Sequence, residues 1–206
     1  MEMKNNARKL IVSEWTTLDG VFDASTMKEW FDPFDSTDRQ NYIRENVMTS
    51  GAFLVGRVTY EMFASYWPNQ KHDEMGIADR LNSAPKYVVS STLMNAEWNN
   101  STIIEKNVVE EIAKLKQQPG QDIMLFGSAL LVQSLMKSDL IDEYRFLVHP
   151  IVMGSGKRFF RDEMVMTKMK LTKTKTLNQG VMVDYYQPLR VEQNTVLAQV
   201  ARVASQ

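Results

Sequence analysis

The sequence predicts an α/β domain on a mixed sheet, parallel in its middle and antiparallel at one side. Two patterns predict it. Between Arg8 and Met136 short apolar runs alternate with helical periodicity, as crossover connections in a largely parallel sheet require. From Glu143 onward, extended segments follow one another through glycine-bearing turns, which favours antiparallel pairing.

Arg8 to Trp15, "RKLIVSEW", reads as the first strand, and "TTLDG" with its Asp-Gly pair turns the chain. Val21 to Asp35 is a loop rich in aspartate and aromatic residues. Ser36 or Thr37 caps a helix whose apolar face is Tyr42, Ile43, Val47 and Met48. Ala52 to Val55 is the next strand, followed by a helix that fades near Trp67-Pro68. A helix is expected at about Asp73 to Leu81, then the strand Lys86 to Ser91, a short extended piece at Thr102 to Glu105 and the helix Val108 to Lys116. Pro119-Gly120 stops that helix before the strand Ile123 to Phe126 and a helix from about Ala129 to Met136.

The last third reads as the strand "EYRFLVHP", the turn "MGSGKRFF", and a hairpin made of "KMKLTKTKTL", "NQG" and "VMVDYYQP". Lys168 to Leu177 is mostly polar on both faces, which suits the margin of a sheet. A single domain is expected over residues 1–190, and residues 191–206 form a tail or a short docked helix.

Lys plus Arg number 24 against 25 Asp plus Glu, a net charge of −1, so no broad attraction to nucleic acid or to an anionic membrane is expected. Any phosphate must be bound locally. With no cysteine, disulfides, thiolate metal sites and cysteine nucleophiles are excluded. "MEMKNNARKL" lacks the apolar core of a signal peptide, and no apolar run reaches the ~18 residues of a membrane span, so a cytoplasmic protein is expected. His72 and His149 have no second ligand at metal spacing, so no metal site is expected. "MGSGK" lacks the spacing and final hydroxyl of a phosphate loop.

Small or hydroxyl residues follow three predicted strands: Gly56-Arg57-Val58-Thr59, Ser90-Ser91-Thr92 and Gly127-Ser128-Ala129. Carboxyl ends of parallel strands lie along one sheet edge, so the three form one cleft. A glycine and an arginine where strand becomes helix suit an anion, because free amides, the helix dipole and a guanidinium converge there.

"TTLDGVF", "GRVTYE", "VVSST", "LFGSALLVQSL" and "VHPIVMGSGKRFF" occur in the order found in the dihydrofolate-reductase-like superfamily. Over roughly Arg8 to Pro188 the chain most resembles the branch containing the C-terminal reductase domain of the bacterial bifunctional riboflavin-biosynthesis deaminase-reductase and its stand-alone relatives. The chain carries no zinc-deaminase signature.

The resemblance implies a three-layer dihydrofolate-reductase-like fold, with a mixed central sheet, helices on both faces and a C-terminal antiparallel hairpin. It also implies NADPH lying extended along the sheet edge, and a homodimer. Carried over by position, Thr17, Gly56, Arg57, Val58 and Thr59 belong to the cofactor site, with Gly56, Arg57 and Thr59 around its pyrophosphate and neighbouring phosphate. Ser90, Ser91 and Thr92 fall near the adenosine ribose and its 2′-phosphate, and Phe126, Gly127, Ser128, Ala129 and Leu130 around the diphosphate and nicotinamide. The implied activity is hydride transfer to a small flat heterocycle of pterin or aminopyrimidine type. The alternative is an NADPH-binding module without turnover.

This chain departs from the family pattern at two points. Dihydrofolate reductases carry adjacent glycines, often joined by a cis bond, at Gly127-Ser128; a side chain at Ser128 argues against that geometry, because a cis non-proline bond costs ~2.5–4 kcal/mol. The second is the substrate-gripping carboxylate on the helix after the first loop. Here that stretch offers Asp32, Asp35 and Asp38, which either sit in a solvated loop and cap a helix or bind, through one of them, a cationic or amide group of the substrate, with Asp38 the candidate. Asp19 either shapes its loop by an Asx-turn or transfers a proton. Trp15, Phe22, Trp30 and Phe31 either wall a pocket for a flat ring or belong to the core. A phosphorylated substrate would draw on Lys157 and Arg158.

Overall fold

The computed structural model describes residues 7–70, 76–161, 164 and 166–190. The expected tail at 191–206, the start of the helix placed at Asp73, and His72 lie outside these residues. Eight strands form one sheet: β1 (Leu10–Thr17), β2 (Ala52–Gly56), β3 (Lys86–Val89), β4 (Ser101–Ile104), β5 (Ile123–Phe126), β6 (Glu143–His149), β7 (Met169–Thr176) and β8 (Met182–Pro188). Their order is β4-β3-β2-β5-β1-β6-β8-β7. Pairing is parallel from β4 through to β6 and antiparallel at β6-β8 and β8-β7.

Alternation along the strands explains the layers. Phe53, Val55 and Met124 point into one apolar cluster with α2 (Thr37–Thr49), α3 (Arg57–Tyr66) and α4 (Ala78–Ser83). Leu54, Ile123, Leu125, Leu10 and Val12 point into the other, covered by α5 (Val108–Gln117) and α6 (Ala129–Met136). Both faces of β2 are therefore buried, as its unbroken apolar run requires. β7 is exposed over nearly its whole length at the sheet margin, where Lys170, Thr172, Lys173, Thr174 and Lys175 remain in water.

Several boundaries differ from the sequence reading. β1 runs on to Thr17, because Thr16 and Thr17 pair with Val148 and His149 of β6 and are buried there. The segment 21–35 is not an open loop: it holds α1 (Met27–Trp30) between two single 3-10 turns, Ala24–Thr26 and Asp32–Phe34. Met48, expected on the apolar face of α2, is 47% exposed. The buried face is instead Arg39, Tyr42, Ile43, Asn46 and Val47, a strict i, i+3, i+4, i+7, i+8 series that leaves position 48 outside. Arg39 is tolerated there because it donates to Asp35 at 2.7 Å and lies over the Phe31 ring at 3.9 Å.

Lys86 anchors the start of β3 from inside. The side chain is 1% exposed, and Nζ donates to the carbonyls of Leu81, Asn82 and Ala84 at 2.7, 3.2 and 2.9 Å. The ammonium also lies 4.4 Å from the Trp98 ring centroid. Burial pushes its pKa down to about 8, while the carbonyls at the end of α4, the helix dipole and the indole face favour the charge. Lys86→Met should cost about 2–4 kcal/mol, because several carbonyls lose their donor at once. In urea unfolding this appears as a lower midpoint at unchanged m; a change below ~0.5 kcal/mol would mean water replaces the ammonium.

Candidate functional site

The carboxyl ends of β3, β2, β5 and β1 are neighbours in the sheet, so Ser90, Gly56, Gly127 and Thr17 fall along one edge. At its centre β2 and β5 come very close. Gly56 N–H donates to Gly127 O at 3.1 Å. A Cβ on Gly127, whose φ is +49°, would stand 2.7 Å from Thr59 Oγ1, and one on Gly56 would stand 3.0 Å from Ser128 Oγ. Only glycine fits either position without displacing a neighbour.

Two helices start beside this junction. α6 is capped by Ser128, whose Oγ accepts from Leu131 N–H at 3.4 Å. The cap residue of α3 is Gly56, with no side chain to fill the role, so the first amides of that helix stay open. Arg57 sits at the same point with its side chain 44% exposed, held by Glu61 at 2.9 and 3.0 Å. An exposed pair of this kind is worth less than ~1 kcal/mol and yields readily to a stronger anion.

The peptide Gly127-Ser128 is cis, against the expectation from the Ser128 side chain. Contacts on both sides specify this arrangement: Glu14 Oε1 accepts from Gly127 N–H at 2.7 Å, Gly56 donates to Gly127 O, and the Ser128 side chain turns outward to cap α6.

Glu14 is the site residue that the sequence reading did not find. It is 7% exposed in the middle of the sheet, and Gly127 N–H is its hydrogen-bond donor among the described residues. Burial pushes its carboxyl up to about 8, only partly offset by that amide. It lines an apolar cavity of about 160 Å³ that opens beside Gly127 and Thr59 and is walled by Trp15, Phe22, Trp30, Phe63 and Phe126.

The other predicted residues fall into two groups. Trp15, Phe22 and Trp30 line the cavity, whereas Phe31 is stacked behind Trp15 at 4.5 Å. Ser91 and Thr92 are exposed at the edge, while Ser90 is spent on its own turn, accepting from Thr92 N–H and Leu93 N–H at 3.1 and 2.9 Å. Val58 and Leu130 present exposed side chains outside the groove's floor, and Ala129 is buried beneath it.

Asp19, Asp38 and Thr17 are occupied elsewhere. Thr17 Oγ1 donates to Asp19 Oδ1 at 2.6 Å and accepts from Val21 N–H. Asp19 also accepts from Met153 N–H and Gly154 N–H and faces Arg158 at 3.3 Å, which stitches the loop after β1 to the turn at 153–158. These bonds, Thr17 first, hold its carboxyl down to about 2. Asp38 accepts from Ser36 Oγ and from Asn178 N–H at 2.8 Å, tying α2 to the hairpin turn. Neither acid lines the cavity, and neither do Lys157, 3.7 Å from Asp23, and Arg158. His149 is wholly buried among Trp30, Phe31 and Phe34, and no group of metal-ligating side chains occurs among the described residues.

Residues 8–183 match the family model of the RibD C-terminal domain. The chain belongs to this family. Uncharacterized protein YyaP of Bacillus subtilis (strain 168) is 34% identical over 192 residues, 89% of this chain and 98% of that protein. Two solved structures share the fold at lower identity. A pyrimidine reductase-like protein of Corynebacterium diphtheriae aligns with TM-score 0.63 and 12% identity over 93% of this chain and 96% of its own. A dihydrofolate reductase of Enterococcus faecalis, solved with NADP(H), aligns with TM-score 0.58 and 15% identity over 88% of this chain and 97% of its own. The fold is thus dihydrofolate-reductase-like, with the antiparallel strands β6-β8-β7 at one side.

Proposed function

We propose that the protein is an NADPH-dependent reductase of a small flat heterocycle. The observation that carries this reading is the junction at Gly127, where an open, glycine-floored groove meets an apolar, aromatic-walled cavity containing one buried carboxyl group. The groove fits an extended dinucleotide: Gly56 and Gly127 leave room for close approach, α3 offers unspent amides, and Arg57 and the Ser91-Thr92 hydroxyls supply donors on either side. NADPH bound there would supply the hydride.

The chain's own residues hold and orient. The aromatic walls exclude water and present flat faces to a ring, and Glu14 offers a hydrogen-bonding group at the floor. Membership in the RibD C-terminal domain family, and the names of the two solved structures, support reductase chemistry. The buried acid that the sequence reading did not find, Glu14, also weakens the case for a module without turnover.

Calorimetric titration with NADPH and NADH, then NADPH oxidation against a panel of pterins, pyrimidines and quinones, tests the reading. Tight NADPH binding without turnover of any of these would leave a binding module. Arg57→Ala should weaken NADPH by about 10–100-fold, the loss of a charge-assisted hydrogen bond, while Lys114→Ala on the exposed face of α5 should leave it unchanged. Equal effects from the two changes would remove Arg57 from the cradle.

A further inference from the structure

We propose that Glu14 keeps its proton and donates it as a hydrogen bond to an uncharged, unphosphorylated flat ring bearing a carbonyl or ring-nitrogen acceptor. This names the substrate class of the cavity and rests on the reductase reading above.

Size is the first argument. The cavity measures about 160 Å³, close to the ~150 Å³ of an apolar cavity known to take benzene, so its walls enclose a compact ring system and leave no room within them for a sugar phosphate.

Charge is the second. From α2 the cavity is lined by Ile43 and Val47, from α3 by Thr59, Met62 and Phe63, and from β5 by Phe126 and Gly127. Among the described residues Glu14 is its one ionisable lining group. No cation among the described residues lines the cavity to meet a phosphate: Lys157 stands by Asp23, Arg158 by Asp19, and Arg57 belongs to the groove. A phosphate beside a buried carboxyl group with no counter-charge would be strongly disfavoured.

The third is the hydrogen-bond inventory of Glu14. Oε1 is taken by the Gly127 amide, and among the described residues no cation pairs with the group, so there the ionised form has a single donor in an apolar surround. The protonated form leaves an O–H at the second oxygen. An apolar site that keeps a carboxylic acid neutral turns it into a donor, and such a site rejects rings lacking the matching acceptor.

The test uses 4-methylcoumarin, a flat ring with a carbonyl acceptor and no charge at any pH, and 4-methylumbelliferyl phosphate, the same ring carrying a phosphate. Calorimetric titration of the whole protein should show the coumarin binding about tenfold or more tightly than the phosphate ester. Its affinity should fall about tenfold between pH 7 and 9, as a carboxyl of pKa about 8 loses its proton. Glu14→Gln should bind the coumarin with no pH dependence, because an amide donates at every pH, and Glu14→Ala should lose the affinity. Equal or tighter binding of the phosphate ester, no coumarin binding, or the same pH profile in Glu14→Gln would overturn the proposal. Titration with NADPH on the same samples separates the two levels. Normal NADPH affinity with the wrong coumarin pattern sinks this inference alone, and no NADPH affinity sinks the reductase reading with it.

Discussion

Gly127→Ala should abolish nucleotide binding and destabilise the fold in one step. The residue sits at φ +49°, a left-handed conformation in which an L side chain is disfavoured by ~1–2 kcal/mol. Its new methyl would also stand 2.7 Å from Thr59 Oγ1, inside the contact distance of any real Cβ. Thr59 lies in the first turn of α3, so either its hydroxyl turns to another rotamer or the start of that helix shifts, and overpacking adds ~1–3 kcal/mol. Thr59→Ala as a second change separates the two costs. It removes the hydroxyl while leaving Thr59 Cβ at 3.7 Å, an ordinary contact, so the clash is relieved and the backbone cost stays. Thermal unfolding should therefore show partial recovery in the double variant. Calorimetry with NADPH should show none, because the methyl still fills the floor of the groove. Wild-type NADPH affinity in Gly127→Ala would place the nucleotide elsewhere.

The fold was legible wherever one local signal decided it. The β2-α3 junction follows from an apolar run that stops at Gly56-Arg57, and the marginal place of β7 follows from charges and hydroxyls on both faces. Less legible were elements whose partners are distant in sequence. Thr16 and Thr17 look like turn residues but are strand residues, because β6, more than a hundred residues later, pairs with them. The stretch 21–35 has turns too short to show a period, and its shape depends on bonds to distant parts of the same chain, such as Phe22 N–H to Lys157 O at 2.9 Å.

The candidate site divides in the same way. Its glycines and hydroxyls could be found because they follow strands directly. Roles of the acids could not, since each is set by a remote partner: Asn178 for Asp38, Met153 and Gly154 for Asp19. Glu14 did leave a signal. It interrupts the apolar run of a central strand that is buried on both faces, where a carboxylate finds little solvent, so a buried acid could have been inferred from the strand's composition.

Glu14 and His149 should bend the stability curve in opposite directions. Folding keeps the Glu14 proton up to about pH 8, whereas the unfolded chain releases it near 4.5. The folded state thus binds more protons in that interval, and stability is lost as pH rises from 4.5 to 8, by on the order of 5 kcal/mol. His149 does the reverse. Burial among Trp30, Phe31 and Phe34 pushes its imidazole down to about 4 from 6.5, so stability is lost as pH falls through that window, by about 3 kcal/mol. The opposing slopes cancel between about pH 4.5 and 6.5 and leave a plateau, followed by a decline toward pH 8. Lys86, whose ammonium is held down to about 8, acts only above that range, and Asp19 only below its ordinary 3.8. Glu14→Gln preserves an acceptor for Gly127 N–H and removes the ionisation. Urea unfolding across this range should therefore show the variant several kcal/mol more stable than wild type at pH 8, the two curves converging below about 4.5. Parallel curves would mean that Glu14 is already ionised in the folded protein at neutral pH, and a hydrogen-bond donor at the cavity floor would have to be sought in another group.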